Sequence, residues 1–231
     1  MMELERHRHI LARHIAVDGF SCAFVACVGY QNRHALKHLL TLKREQDDKC
    51  HERVFGYQPA GHYVLLYFFS YQMKNMYDTI VWKDGIVFVL HHILAGGAAW
   101  LGMYPGVAGL YAIFFMGISE ISTSILCLLA NFDPDLGIVG LEEAFPNTRL
   151  VLASIFVVTF IICRIILWPL FSWHFLQDAL KVWKTVGKND KEKKFAIQFI
   201  ATSCVGLSFL QVIWLGEIVL IGREEVYKLL E

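Results

Sequence analysis

His91 and His92 stand side by side in an apolar run, and thirteen residues before them Asp78 follows Lys74 by one helical turn. These are side chains that move protons. An imidazole has an unperturbed pKa of about 6.5, so in a dry cavity it can serve as a general base or an acyl acceptor. A carboxylate such as Asp78 can hold an imidazole in one tautomer, as the third member of a triad does. Adjacent helical residues point about 100° apart, so one histidine can face a reactant while the other orients it or binds a neighbouring helix. The plain alternative is that both rings hydrogen-bond to neighbouring helices for packing. Lys74 and Asp78 likewise read as a self-neutralising i,i+4 pair. Glu120, within Ser119-Glu-Ile-Ser-Thr-Ser124, is a further carboxylate with hydroxyls around it. It can pair with Arg164 from a later stretch or supply acid–base chemistry, and Arg164 can neutralise it or reach a headgroup phosphate.

The medium around these residues gives them weight. Of the 231 residues 56% are hydrophobic and 18% charged, and the mean hydropathy is +0.46. Soluble domains average roughly 45–50% apolar and about 25% charged. The excess collects in blocks of about 20 residues, the length that carries a helix across roughly 30 Å of hydrocarbon. A charged group inside such a block costs on the order of 2.5–3.5 kcal/mol on insertion scales, so it usually faces an interior cavity. The expected fold is therefore all-α, a polytopic membrane bundle of about six transmembrane helices around a central cavity.

Residues 1–14 form a polar lead-in rich in His and Arg, and residues 224–231 a short charged tail. Between them six spans are predicted: 15–30, 62–82, 85–101, 107–132, 148–176 and 195–222. The first contains Asp18 and Gly19, is the weakest, and reads equally as a helix lying flat on the membrane. In the second, Tyr67, Tyr71, Lys74 and Asp78 share a face; the third carries His91 and His92 near its middle. Pro169 predicts a bend in the fifth. Polar loops at 31–61 and 177–194 hold six Lys/Arg and six lysines, respectively. With six spans these loops share one side, and the positive-inside tendency places both termini across the membrane from the cytoplasm.

Several classes are set aside. Net charge is zero, so no basic field points to nucleic acid. The six cysteines form no Cys-x-x-Cys pair and read as small buried residues, so neither a disulfide frame nor a metal site is expected. A bis-histidine haem needs matched rings on facing helices, which His62, His91, His92 and His174 do not supply at matching depths. His174 and Glu217 read as interfacial anchors. No cleavable signal peptide is apparent, and the first span is expected to act as its own signal.

An Asp about thirteen residues before a His-His pair, with a Lys-Asp turn between, resembles the TLC-domain membrane proteins, the family that includes ceramide synthases. Phe160–His174 (FIICRIILWPLFSWH) resembles that family's Arg- and Pro-bearing penultimate span, and Leu207–Arg223 (LSFLQVIWLGEIVLIGR) its closing span. The resemblance covers residues 15–223 and implies helices enclosing a lipid-sized cavity, with cytoplasmic ends, against the charge count. It also implies His91 and His92 as the reactive pair, Asp78 as an associated group and Ser119-Glu120 where the synthases carry a further Asp. Lys74, Arg164, Tyr71 and Gln211 are the candidates for contact with a lipid or its headgroup. The synthases' His-Asp is missing from FFMGISEISTS, which brings the chain nearer the small non-synthase members. The expected functions are acyl transfer to an amine or hydroxyl lipid, with an acyl-coenzyme A cosubstrate, or non-catalytic lipid binding that regulates membrane composition or trafficking. A third is membership of a membrane complex. Membrane lipids are the expected partners, with a homo-oligomer or complex subunit besides, in the endoplasmic reticulum or another endomembrane.

Overall fold

Eight helices make up the described part of the chain. The computed structural model describes residues 9–40, 49–133, 137–186 and 190–230, the last seven of these by backbone alone. Residues 1–8 of the polar lead-in, 41–48 and 187–189 within the basic loops, and Glu231 of the tail lie outside them. The helices are α1 (His9–Gln31), α2 (Cys50–Phe55), α3 (Pro59–Trp82), α4 (Ile86–Met103), α5 (Gly109–Phe132), α6 (Leu141–Ala144), α7 (Pro146–Thr185) and α8 (Lys191–Leu230). No strand occurs among the described residues. Helices satisfy every backbone donor and acceptor within one segment, the condition hydrocarbon imposes.

Five helices are long and apolar enough to cross a membrane: α1, α4, α5, α7 and α8 up to Arg223. The expected order of strength is reversed at the start of the chain. The 15–30 stretch, expected to be weakest, lies in one of the five, whereas α3 is absent from them. Gln72, Lys74, Asn75 and Asp78 interrupt its hydropathy. Its 24 residues are nonetheless a bilayer's length, and it runs antiparallel to α4 throughout. Gln72 meets His92, Met73 lies against Gly96, and Leu65 against Gly102.

The turn between α3 and α4 explains that pairing. Lys83 has φ 58° and Gly85 φ 110°, so two left-handed residues reverse the chain within three positions. The backbone N–H of Asp84 caps the end of α3 on Thr79 O at 3.1 Å. The same tight turn places His91 and His92 about one and a half turns inside α4, just short of its middle.

Three helices loosen into π-helical register: residues 12–19 of α1, 113–118 of α5 and 161–167 of α7. Asp18 lies in the first, Arg164 in the third, and Glu120 just past the second. Such widened turns are uncommon and gather at functional sites. The third also stands where a bend was expected, ending two residues before Pro169. The wider turn relieves the clash between the proline ring and the preceding carbonyls.

α1 and α5 approach closely because both carry glycine at the crossing. A Cβ on Gly29 would stand 2.7 Å from Ile113 O and 2.9 Å from Gly117 Cα, the small-residue contact by which membrane helices pack. On the other side of α5 an aromatic seam joins α7, with Phe114 stacked on Phe171 at 4.1 Å and Phe115 edge-on to Trp168 at 4.8 Å. α8 closes the bundle antiparallel to α4: Trp214 stacks on Phe88, Gly206 faces Leu94 and Phe199 lies against Gly97. Before α8, Asp190 caps its first turn, accepting from Lys193 N at 3.3 Å and from Lys193 Nζ. Those bonds to Lys193 hold its carboxyl below the ordinary range.

Candidate functional site: an apolar slot with one polar end

The polar side chains within the bundle sort into three groups. The deepest begins at Glu120, buried just after the widened turn of α5. Its Oε1 accepts from Arg164 Nη2 at 2.8 Å, and its Oε2 accepts from the Tyr71 hydroxyl at 3.0 Å. Arg164 also donates to Ser122 Oγ at 3.3 Å and Thr123 Oγ1 at 2.9 Å, and lies over the Trp168 ring. Gln72 continues the chain, donating to the Tyr71 hydroxyl at 3.3 Å and placing its carbonyl oxygen 2.5 Å from His92 Nδ1. Helices α3, α4, α5 and α7 are thus laced by one set of mutually satisfied groups.

A second group lies at the end of the bundle that bears the α3–α4 turn. Lys74 bonds Asp18 at 3.0 Å and pairs with Asp78, Arg13 pairs with Asp84 and stands 4.0 Å from Asp78, and Thr79 donates to Asp84 at 3.2 Å. Asp78, expected to orient a histidine, is bound to cations here, and the partner of His92 is Gln72. Lys74 belongs to this cluster too. The i,i+4 pairing of Lys74 with Asp78 is as the spacing predicts.

The third group is distinguished by what it lacks. His91 Nδ1, Ser203 Oγ and both amide atoms of Gln211 are buried and have no hydrogen-bond partner. The His91 ring packs against those of His92 at 5.2 Å and Trp214 at 5.4 Å. His91 and Ser203 line a slot whose other walls are mostly alanine, leucine, phenylalanine and isoleucine. On α4 the lining stripe is His91, Ala95, Ala98 and Gly102, and on α8 it is Ile200, Ser203, Cys204 and Leu207. His91 and Gly102 are eleven residues apart on one helix, so the slot runs for about 16 Å. Its cavity volume is about 50 Å³. It is long and narrow. Glu120 and Arg164 reach its wall, so its polar residues gather toward the His91 end while Val107, Ala108 and Tyr111 line the other.

Two features escape a reading of the sequence. Gln72 passes as one more polar residue in α3, although its place beside Tyr71 is a usable signal. Arg53 and Asp178 both fall in segments read as surface loops, yet they form a buried bidentate pair, Nε to Oδ2 at 2.6 Å and Nη2 to Oδ1 at 2.8 Å. The Tyr111 hydroxyl donates to the same carboxylate at 2.5 Å. Asp178 continues the buried stripe of Phe171, Phe175 and Val182, and that period was legible. No cluster of His, Cys, Asp or Glu among the described residues is arranged to hold a metal.

Residues 16–220 match the sequence profile of the TLC domain. The chain belongs to the TLC-domain family. Comparison with curated proteins and with solved structures returns no significant match. As a TLC-domain protein with five apolar spanning-length helices, it is an integral membrane protein of a family concerned with membrane lipids.

Proposed function

We propose that this TLC-domain protein holds a single lipid chain in the slot between α4 and α8. The observation that carries the reading is the slot itself, narrow, lined by apolar side chains for about 16 Å and bordered by polar groups toward one end. One hydrocarbon chain fits that shape, and the His91 end accepts the polar part of the same molecule. The satisfied network of Tyr71, Gln72, His92, Glu120 and Arg164 is the scaffold that keeps the end in shape. The test is native mass spectrometry of the purified chain. A lipid is expected to copurify with the wild type and to be lost in Ala98→Phe, which fills the slot. An equal lipid load in both proteins would remove the slot as its site.

A second reading, acyl transfer, draws on His91. Its Nδ1 has no protein partner and its ring borders the slot, so it can take a proton from an amine or hydroxyl seated there. An acyl-coenzyme A cosubstrate and residence in the endoplasmic reticulum or another endomembrane belong to this reading through the family resemblance. Transfer from a panel of thioesters by the wild type but not by His91→Ala supports it. Equal activity in the two proteins contradicts it.

A further inference from the structure

Gln211 is 2% exposed. Its amide oxygen and nitrogen are both without a partner, in a bundle whose other buried polar residues are largely bonded to one another. It stands one turn past Leu207, the last residue of α8 to line the slot, and three residues before Trp214, whose ring meets His91. The antiparallel register of α4 and α8, fixed by Phe88 with Trp214 and Leu94 with Gly206, puts Gln211 level with His91 at the polar end. A carboxamide offers two donors and an acceptor, and leaving them empty in a membrane interior is unfavourable. Gln211 and His91 together therefore point to a ligand group that donates and accepts at this level.

The charge of that group also follows. Glu120 and Arg164, the ions on the slot wall, are paired with each other at 2.8 Å, and the guanidinium donates to Ser122 and Thr123 besides; Lys74 and Arg13, toward the α3–α4 turn, are paired with Asp18, Asp78 and Asp84. The groups without partners are a carboxamide, a hydroxyl and an imidazole. An ionised carboxylate or phosphate placed here would meet no unpaired cation and would lose its hydration.

We infer that Gln211 is a specificity-determining residue that selects lipids whose buried polar group is uncharged and both donates and accepts hydrogen bonds, such as a primary amide or an alcohol. This rests on the lipid-holding reading above and adds the chemistry of the group. A site built to hydrogen-bond a ligand discriminates strongly against the analogue that lacks the group.

The full chain in a non-ionic detergent is titrated by native mass spectrometry with four probes of one chain length: lauramide, lauryl alcohol, laurate and dodecane. The wild type is expected to bind the amide and the alcohol about tenfold more tightly than laurate or dodecane. Gln211→Met, close in shape, is expected to erase that preference while still binding dodecane, and Gln211→Asn, which keeps the carboxamide, to restore part of it. Because Gln211→Met also removes an unpartnered buried amide, the lipid-free variant is expected to melt no lower than the wild type. A preference that survives in Gln211→Met, or tightest binding of laurate, overturns the inference. Binding of all four probes with equal strength overturns it while leaving the lipid-holding slot intact. Binding of none, with copurified lipid indifferent to Ala98→Phe, removes the slot reading and this inference with it.

Discussion

Two sets of buried polar side chains at the polar level of the bundle differ in how they are held. On the wall made by α3, α5 and α7, Tyr71, Gln72, Glu120 and Arg164 are tied to one another or to His92, and every bond but that between the adjacent Tyr71 and Gln72 joins a different pair of helices. On the wall made by α4 and α8, His91, Ser203 and Gln211 have buried polar atoms with no partner at all. Groups that are mutually satisfied in hydrocarbon hold structure, since losing one strands the other. Groups left empty beside the slot are, on the reading proposed above, where the polar part of a lipid binds. The contrast turns one list of intramembrane polar residues into a scaffold and a receptor.

The largest effect expected from breaking the contrast is on the scaffold. Arg164→Met leaves Glu120 as an unpaired buried charge and should destabilise the fold by about 3–5 kcal/mol, read as a fall in melting temperature in detergent. The double change with Glu120→Gln should recover a large part of that loss, giving a clear coupling in the double-mutant cycle. Asp178→Ala, which removes the carboxylate bonded by Arg53 and the Tyr111 hydroxyl, is expected to cost a similar amount, about 3–5 kcal/mol. A smaller loss follows from Gln72→Leu. It leaves His92 Nδ1 and the Tyr71 hydroxyl each one partner short, at a cost of about 1–3 kcal/mol in the same measurement.

The receptor wall should behave differently. His91→Phe keeps the ring contacts and removes a nitrogen that bonds nothing, so stability should hold or rise while the amount of copurified lipid falls. The smallest effect belongs to the rim cluster. Lys74 is 30% exposed, and Lys74→Met is expected to change stability by about 0–1 kcal/mol, diminishing with salt. A large loss there would mean that the rim, too, is part of the scaffold.

Much of this was legible in the sequence, and the parts that were not share a cause. The all-α polytopic class follows from the length of the apolar blocks, with five apolar spanning-length helices among the described residues where six spans were predicted, and the Lys74–Asp78 pair follows from spacing. Glu120 and Arg164 announce each other as opposite charges stranded in hydrocarbon. Spacing along the chain cannot say which neighbour a ring meets, however. Asp78 stands thirteen residues before His91 in the sequence, but the α3–α4 turn sets Gln72 opposite His92 and leaves Asp78 at the rim with Lys74 and Arg13. α3, read as a span, falls outside the five apolar helices because one polar face offsets an otherwise apolar helix. It also concealed Asp178, since α7 continues to Thr185 and its last turns keep a buried stripe after the apolar run has ended. Gln211 is visible in the sequence as a polar residue in a span, but only packing tells that its amide is empty.

The most direct test is a density map of the chain in a lipid nanodisc. An elongated density between α4 and α8 is predicted, running from Gly102 to His91 and ending beside His91 and Gln211. A slot closed by collapse of α8 onto α4, with both side chains bonded to protein, would contradict the division into scaffold and receptor.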